Sequence, residues 1–202
     1  NNNKYIIYGL NNCMHFLMYN KNFLIESISI SINSIAHKNS QLTSIIKSKK
    51  IDIDYLQKKQ FQRKYNSKHM QGIAIEFIGN LYKDLYAIKH FKKNDCLIIA
   101  DQINDPQNLG QILRTAECAG IKGIILAKHR SVHLSDTVLQ VSQGAFMHLN
   151  IFIETNIKSS IDYLKSKGFW IIGIENGIQA KQWHEIDYKG KIVLVIGSEG
   201  KG

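Results

Sequence analysis

Ala100-Asp101-Gln102-Ile103-Asn104-Asp105-Pro106-Gln107-Asn108-Leu109-Gly110-Gln111-Ile112-Leu113-Arg114-Thr115-Ala116 runs from an apolar strand end, through a turn around the chain's only proline, into an amphipathic helix. A helix is expected over Leu109 to Ala119, with Asn108 placed as its N-cap. At about 100° per residue, Leu109, Ile112, Leu113, Ala116 and Gly120 fall on one arc, the expected core face. Arg114 falls nearly opposite. Asn108, Gln111 and Arg114 therefore share the side turned away from the core, towards a crevice or a partner. Judged by periodicity alone, an ordinary solvated arginine is the better account of Arg114.

Working outward, apolar strand-sized runs alternate with helical patterns. Strands are expected at Leu97 to Ala100, Gly123 to Ala127, Leu149 to Ile153, Trp170 to Ile174 and Ile192 to Ile196. Helices are expected near Asp136 to Gln143 and at Ser159 to Lys167. Near-continuous apolar strands with intervening helices imply a parallel sheet covered on both faces, whose ligand crevice lies beyond the carboxyl ends of its strands. The last strand runs into Gly197-Ser198-Glu199-Gly200-Lys201-Gly202. This turn is neither a dinucleotide fingerprint nor a P-loop, and on its own it reads equally well as a plain turn.

Upstream, residues 5 to 78 alternate short strands and helices. The strands are Tyr5 to Tyr8, Ile25 to Ile30, Ile51 to Ile53 and Gly72 to Ile78. Helices fall near Asn12 to Tyr19, Ser34 to Lys47 and Tyr55 to Lys64. A small α/β layer results. Residues 79 to 94, rich in Lys83, Lys89, Lys92 and Lys93, separate the two textures and are read as a linker. Leu81, Leu85 and Ile88 have the i, i+4, i+7 spacing of a helix as the alternative.

Hydrophobic residues make up 44% of the 202 residues and charged ones 21%, which excludes the composition of a disordered chain. The apolar runs are far shorter than the roughly 20 residues of a membrane helix, so a soluble protein is expected. Three cysteines without paired spacing suggest neither a disulfide framework nor a zinc ribbon and fit a reducing compartment. His129 and His133 are four apart but have no third ligand nearby, so no metal is expected. Lys plus Arg number 26 against 16 Asp plus Glu, a net charge of +10. That balance favours a polyanionic partner, yet abundant Asn, Ile and Lys is also what an AT-rich genome writes, so charge alone supports nucleic acid weakly. No initiator methionine precedes Asn1 and the chain stops inside a glycine-rich turn, so truncation at both ends is the expectation. No signal-peptide pattern is present.

Taken together, Asn108-x-x-x-x-x-Arg114-Thr115-Ala116 and Gly197-Ser198-Glu199-Gly200-Lys201-Gly202 resemble motifs 1 and 2 of the SPOUT-class, SpoU-branch RNA ribose 2′-O-methyltransferases. The likeness continues through Lys128-His129-Arg130-Ser131, Val141-Ser142-Gln143-Gly144-Ala145, Tyr8-Gly9 and Gln71-Gly72-Ile73. It is closest to bacterial-type enzymes that methylate a guanosine ribose in large-subunit rRNA. Two departures are visible. Asn11 and Asn12 stand where many relatives have a histidine after Tyr-Gly, and Met70 interrupts the common His-Gln-Gly.

The resemblance implies an α/β protein in three parts. Residues 1–78 would form a small RNA substrate-binding domain similar to ribosomal protein L30e, and residues 79–94 a linker. Residues 95–202 would form a SPOUT methyltransferase domain with a parallel sheet and a C-terminal trefoil knot, incomplete here because the chain ends before motif 3. The implied cofactor is S-adenosylmethionine, held by Gly197, Ser198, Glu199 and Gly200 with Ile174 and Glu175. The implied catalytic residues are Arg114, Asn108 and Glu199. The family assigns deprotonation of the hydroxyl to Arg114; because a guanidinium stays protonated, orientation of hydroxyl and phosphate is kept as a second role. RNA contacts are expected at Lys58, Arg63, Lys64, Lys68, His69, Gln111 and Arg130. The implied partners are RNA, with rRNA favoured over tRNA, and a second copy in a homodimer; no membrane is involved. The expected location is the cytoplasm, or an organelle matrix in a eukaryote. A non-catalytic RNA-binding relative would keep the basic first domain but lose cofactor binding, and a nicotinamide enzyme would need a glycine fingerprint that Asp101 to Gly110 does not supply.

Overall fold

The computed structural model describes residues 3–65, 70–175, 177 and 180–197. In chain order the elements are β1 (Asn3–Tyr8), α1 (Leu10–Tyr19), β2 (Leu24–Ser31), α2 (Ser40–Ser48), β3 (Ile53–Leu56), α3 (Lys58–Tyr65) and β4 (Ile73–Gly79). They continue with β5 (Cys96–Ala100), α4 (Pro106–Cys118), β6 (Gly123–Ala127), α5 (Asp136–Val141), β7 (Asn150–Glu154), α6 (Ile157–Ser166), β8 (Trp170–Ile174) and β9 (Ile192–Ile196). No helix among the described residues is long and apolar enough to cross a membrane.

The chain divides into two compact units, residues 1–80 with 135–147, and residues 81–134 with 148–202. In the first, the sheet order is β1-β4-β2-β3. The central β4 is antiparallel to β1 and β2, while β3 runs parallel to β2. Buried Phe16 and Phe77, with ring centroids 4.6 Å apart, centre the core. The helix expected from Ser34 begins only at Ser40. Asn39 caps it, its side chain accepting from the Leu42 N–H at 2.7 Å, and the preceding residues form turns. Strand β3 lies later than expected because its partners are Ile28 to Ser31.

Residues 135–147, which the sequence reading places with the second half, group with this first unit. The reason is physical. Phe146 joins the aromatic cluster, 6.2 Å from both Phe77 and Phe23. On α5, Asp136 and Gln140 accept from the backbone N–H groups of Ile6 at 2.9 Å and Tyr8 at 3.1 Å. Four helical residues rise about 6 Å and two strand residues about 6.8 Å, so acceptors one turn apart match alternate donors on an edge strand. An edge that would otherwise present open hydrogen-bonding groups is thereby covered.

The second unit is a five-stranded, wholly parallel sheet of order β7-β6-β5-β9-β8. One face buries Leu97, Ile99, Ile125, Phe152 and Val193 together with Leu164 and Phe169. The stretch read as a linker is neither helix nor loose connection. Leu85 is fully buried in this core, and Ile88 and Phe91 pack against it. The expectation of a sheet covered on both faces fails at one end among the described residues. There Trp170 and Ile174 are 70% and 54% exposed, and Leu194 and Ile196 only half-buried.

Candidate active site and RNA-binding residues

Strands β5 and β9 are hydrogen-bonded neighbours although three other strands lie between them in the chain. The strand order reverses at this junction, where parallel sheets leave a crevice beyond their carboxyl ends. Helix α4 leaves that end of β5. Its cap is Asp105 rather than Asn108: the Asp105 carboxylate accepts from the Gln107 N–H at 2.8 Å and Pro106 occupies the first turn. The cap needs an acceptor just before proline, whose missing N–H is harmless there. Asn108 thus sits inside the first turn.

From α4, Leu109, Gly110, Leu113 and Ala116 are buried. Ile112 and Gly120, expected on the core face, are half-buried and exposed. Ile112 instead lines a cleft of about 500 Å³ with Asn108, Gln111, Ile103, Ile196 and Gly197. The structure therefore brings Asn108 and Gln111 together with the glycine that ends β9. Arg114 is exposed on the flank of the same helix, outside the cleft lining, and makes no ion pair among the described residues. Ile174 pairs in register with Ile196, so Ile174 and Glu175, both exposed, stand at the same sheet edge as Gly197. Ser198, Glu199 and Gly200 lie outside the described residues.

The loops at these strand ends hold strained backbone. Gln102 after β5 and Arg130 after β6 both have φ 57°, a left-handed conformation that non-glycine residues rarely adopt. A backbone bond from the Val132 N–H to the Ile103 carbonyl at 2.8 Å ties one loop to the other. Arg130 is exposed there. Gln102 escaped sequence reading because nothing in residue type alone marks a left-handed glutamine.

In the first unit, Lys58 and Arg63 are exposed on α3. Lys64, expected to contact RNA, also makes contacts within the unit. Its ammonium lies 3.0 Å from Glu76 and 3.2 Å from the Ser29 hydroxyl. Glu76, 8% exposed on β4, also accepts from Lys4 at 2.6 Å and from the Tyr65 hydroxyl at 2.9 Å. Burial pushes this carboxyl up, but the bonds from Lys4, Lys64 and Tyr65 outweigh it and hold it down at about 2. A buried carboxylate of that kind needs its cations, so Lys64 serves the fold. Lys68 and His69 lie outside the described residues.

Comparison with known proteins agrees with this architecture. Residues 95–202 match the SpoU rRNA Methylase family, and residues 6–82 match the family described as RNA 2'-O ribose methyltransferase substrate binding. A Staphylococcus saprophyticus protein assigned by name to the TrmH family of tRNA/rRNA methyltransferases is 37% identical over 172 residues, 82% of this chain and 68% of that protein. YacO of Bacillus subtilis, given the same family name, is 30% identical over 201 residues, 93% of this chain and 80% of that protein. Among solved structures, the AdoMet-bound rRNA methyltransferase from Sinorhizobium meliloti superposes with a TM-score of 0.79 at 21% identity, covering 98% of this chain and 72% of that one. The SpoU methyltransferase AviRb from Streptomyces viridochromogenes gives 0.79 at 13%, covering 98% and 74%. The fold is that of the SPOUT methyltransferases. The chain belongs to the SpoU rRNA methylase family and is an RNA 2′-O-ribose methyltransferase of the TrmH/SpoU type, for rRNA or tRNA.

Proposed function

We propose that the protein transfers a methyl group from S-adenosylmethionine to the ribose 2′-hydroxyl of a guanosine in large-subunit rRNA. The observation that carries this reading is the crevice at the β5–β9 junction, where Asn108, Gln111 and Gly197 meet. The residues fit the cofactor. Gly197 lets backbone approach a ligand without a side chain in the way, Ile174 offers exposed apolar surface beside it, and Glu175 offers a carboxylate. When bound, S-adenosylmethionine supplies an electrophilic methyl group on a sulfonium.

The chain's own task is then to present the nucleophile. A ribose hydroxyl is weak and must lie in line with the methyl group, which is a matter of orientation. Arg114, fixed on the helix flanking the cleft, holds O2′ and the neighbouring phosphate by charge-assisted hydrogen bonds. Positive charge beside O2′ would ease loss of its proton, which passes to solvent water. Asn108 orients Arg114 or the ribose, Gln111 and Arg130 meet the RNA, and Ser198, Glu199 and Gly200 are assigned to the cofactor from the sequence motif. Lys58, Arg63, Lys64, Lys68 and His69 recruit RNA in the first unit. A homodimer belongs to this reading, supported by the exposed apolar residues Trp170 and Ile174.

The test is incubation with labelled S-adenosylmethionine and either large-subunit rRNA or tRNA, followed by digestion to nucleosides. Label on a guanosine ribose from rRNA is expected. Label on a base would overturn the chemistry, and label confined to tRNA would overturn the substrate.

A further inference from the structure

The first unit contains a hollow of about 580 Å³ that methyl transfer does not use. It is enclosed by the turn after β2, the start of α3 and the turn entering β4. Its floor is apolar, formed by Phe61 and Met70, 3% and 5% exposed, with Ile32 half-buried beside them. Among the described residues its rim carries four exposed primary amides, Asn33, Gln57, Gln62 and Gln71, and one exposed ammonium, Lys58.

The walls are built rather than incidental. Asn33 and Gln71 hold left-handed backbone, φ 63° and 51°, without being glycine. Such conformations are costly, persist only where surrounding structure enforces them, and collect at ligand sites. Here the enforcement is visible. The Gly72 carbonyl accepts from the Ser31 N–H at 2.9 Å, the Gln71 carbonyl from Ala36 at 3.3 Å, and the Gln71 side-chain oxygen from Leu10 at 2.8 Å. At Gly72 itself φ is 80° and a Cβ would run into the Ser34 side chain. The hollow is therefore pre-formed, as small-ligand sites are, and its volume lies within their usual range of roughly 300–1,000 Å³.

We propose that this hollow takes one unpaired nucleobase of the substrate RNA. The proposal rests on the reading of the chain as an RNA methyltransferase and names how its first unit recognises RNA. A primary amide offers a donor and an acceptor in one plane, which is the pattern along the edge of a base. An apolar floor accepts the flat face of the ring, and unpaired, splayed-out bases are what sequence-specific RNA recognition targets. Lys58 stands at the rim as a point charge for the adjoining phosphate. A pure phosphate site would invert these proportions, with cations outnumbering amides. Among the described residues, four such amides surround one cation.

The test uses the whole 202-residue chain. With ¹⁵N-labelled protein, adding adenosine, guanosine, cytidine and uridine monophosphates in turn is expected to shift the side-chain amide signals of Asn33, Gln57 and Gln62 with at least one of them. Inorganic phosphate should leave those signals in place. If every nucleotide acts like phosphate, the proposal fails. In a second arm, a hairpin RNA with a single bulged 2-aminopurine is compared with its fully paired counterpart. A preference of about fivefold for the bulged hairpin is expected from one or two net hydrogen bonds, and the double variant Gln57→Ala/Gln62→Ala should abolish it. Equal loss on both RNAs would reduce the hollow to a non-specific contact and overturn the proposal. Methyl transfer is measured on the same protein. Transfer to ribose without bulge preference sinks the nucleobase site alone, whereas bulge preference with label on a base sinks the ribose-methylation reading alone.

Discussion

The side-chain oxygen of Gln140 accepts a hydrogen bond from the main-chain N–H of Tyr8 at 3.1 Å, across 132 positions of sequence. The same oxygen accepts from the side-chain amide of Asn12, 2% exposed, at 3.0 Å. A single glutamine oxygen thus serves both a donor on the edge of β1 and the amide donor of a buried side chain on α1. The first unit is in this sense unfinished without a segment that the chain supplies some sixty positions after β4.

Replacing that glutamine by a residue of similar size with no acceptor exposes the dependence. Gln140→Leu leaves the Tyr8 N–H and the Asn12 amide without this partner, and an unsatisfied buried group costs about 1–3 kcal/mol. Denaturant midpoints should fall accordingly, and the Tyr8 amide should exchange faster with deuterium. The Ile6 amide, held by Asp136, serves as the internal comparison. If Tyr8 exchange is unchanged, the edge is not held in this way.

Glu76 makes the first unit sensitive to acid. Its carboxyl is lowered from 4.5 to about 2 in the folded protein. A depressed carboxylate contributes stability that is fully present above its unfolded value near 4.5 and is lost as pH falls towards 2. At about 1.4 kcal/mol per unit the contribution is roughly 3 kcal/mol. Glu76→Gln should lower stability at neutral pH and flatten its dependence between pH 4.5 and 2. Chemical denaturation across that range checks both. A wild-type slope retained in the variant would assign the acid sensitivity to other groups.

At Gly72 the backbone has φ 80° and the space for a Cβ is taken by Ser34. Gly72→Ala therefore meets conformational strain and a collision together, and should destabilise by more than about 1 kcal/mol. Gly168 has a similar φ of 83° but open space around it. Gly168→Ala isolates the conformational part and should cost less. Equal losses would mean that the turn before β4 yields to the added methyl group.

Local patterns were legible in the sequence, and long-range ones were not. Strands β6 and β9 coincide with the apolar runs Gly123 to Ala127 and Ile192 to Ile196, because a buried parallel strand writes its own signal; β8 coincides with Trp170 to Ile174 by its apolar run alone, since both of its ends are exposed. The start of α4 was misplaced by three residues because Asp105 and Asn108 are both good caps, and only the fold selects between them. The stretch from 79 to 94 read as a linker because its lysines outnumber its anchors, yet Leu85 is fully buried. Grouping of 135–147 with the first unit had no local signal at all: the match of Asp136 and Gln140 to Ile6 and Tyr8 exists only once strand and helix are set side by side. At the site, the sequence brought Asn108, Gln111 and Gly197 into one reading, and the fold places them on one cleft. The strained Gln102 and the engagement of Lys64 with Glu76 depend on backbone angles and on a partner twelve positions away, which residue type does not reveal.

Neighbouring positions on α4 separate chemistry from folding. Leu113 is fully buried, whereas Arg114 is exposed and forms no ion pair among the described residues. Leu113→Ala removes packed core and should cost about 2–5 kcal/mol. Arg114→Ala removes no buried contact and should stay within about 0.5 kcal/mol of the parent in stability. For methyl transfer the order reverses. If Arg114 holds O2′ and the phosphate, its loss should abolish turnover in a folded protein, while Leu113→Ala, assayed at a temperature where it remains folded, should retain most of it. Arg114→Lys refines the reading: it keeps the charge but loses the planar fork that can meet hydroxyl and phosphate at once, so it should restore RNA binding more than turnover. Thermal denaturation paired with single-turnover transfer of labelled methyl groups decides the matter. Near-parental turnover in Arg114→Ala would return this arginine to an ordinary solvated side chain and leave the chemistry to the other groups around the cleft.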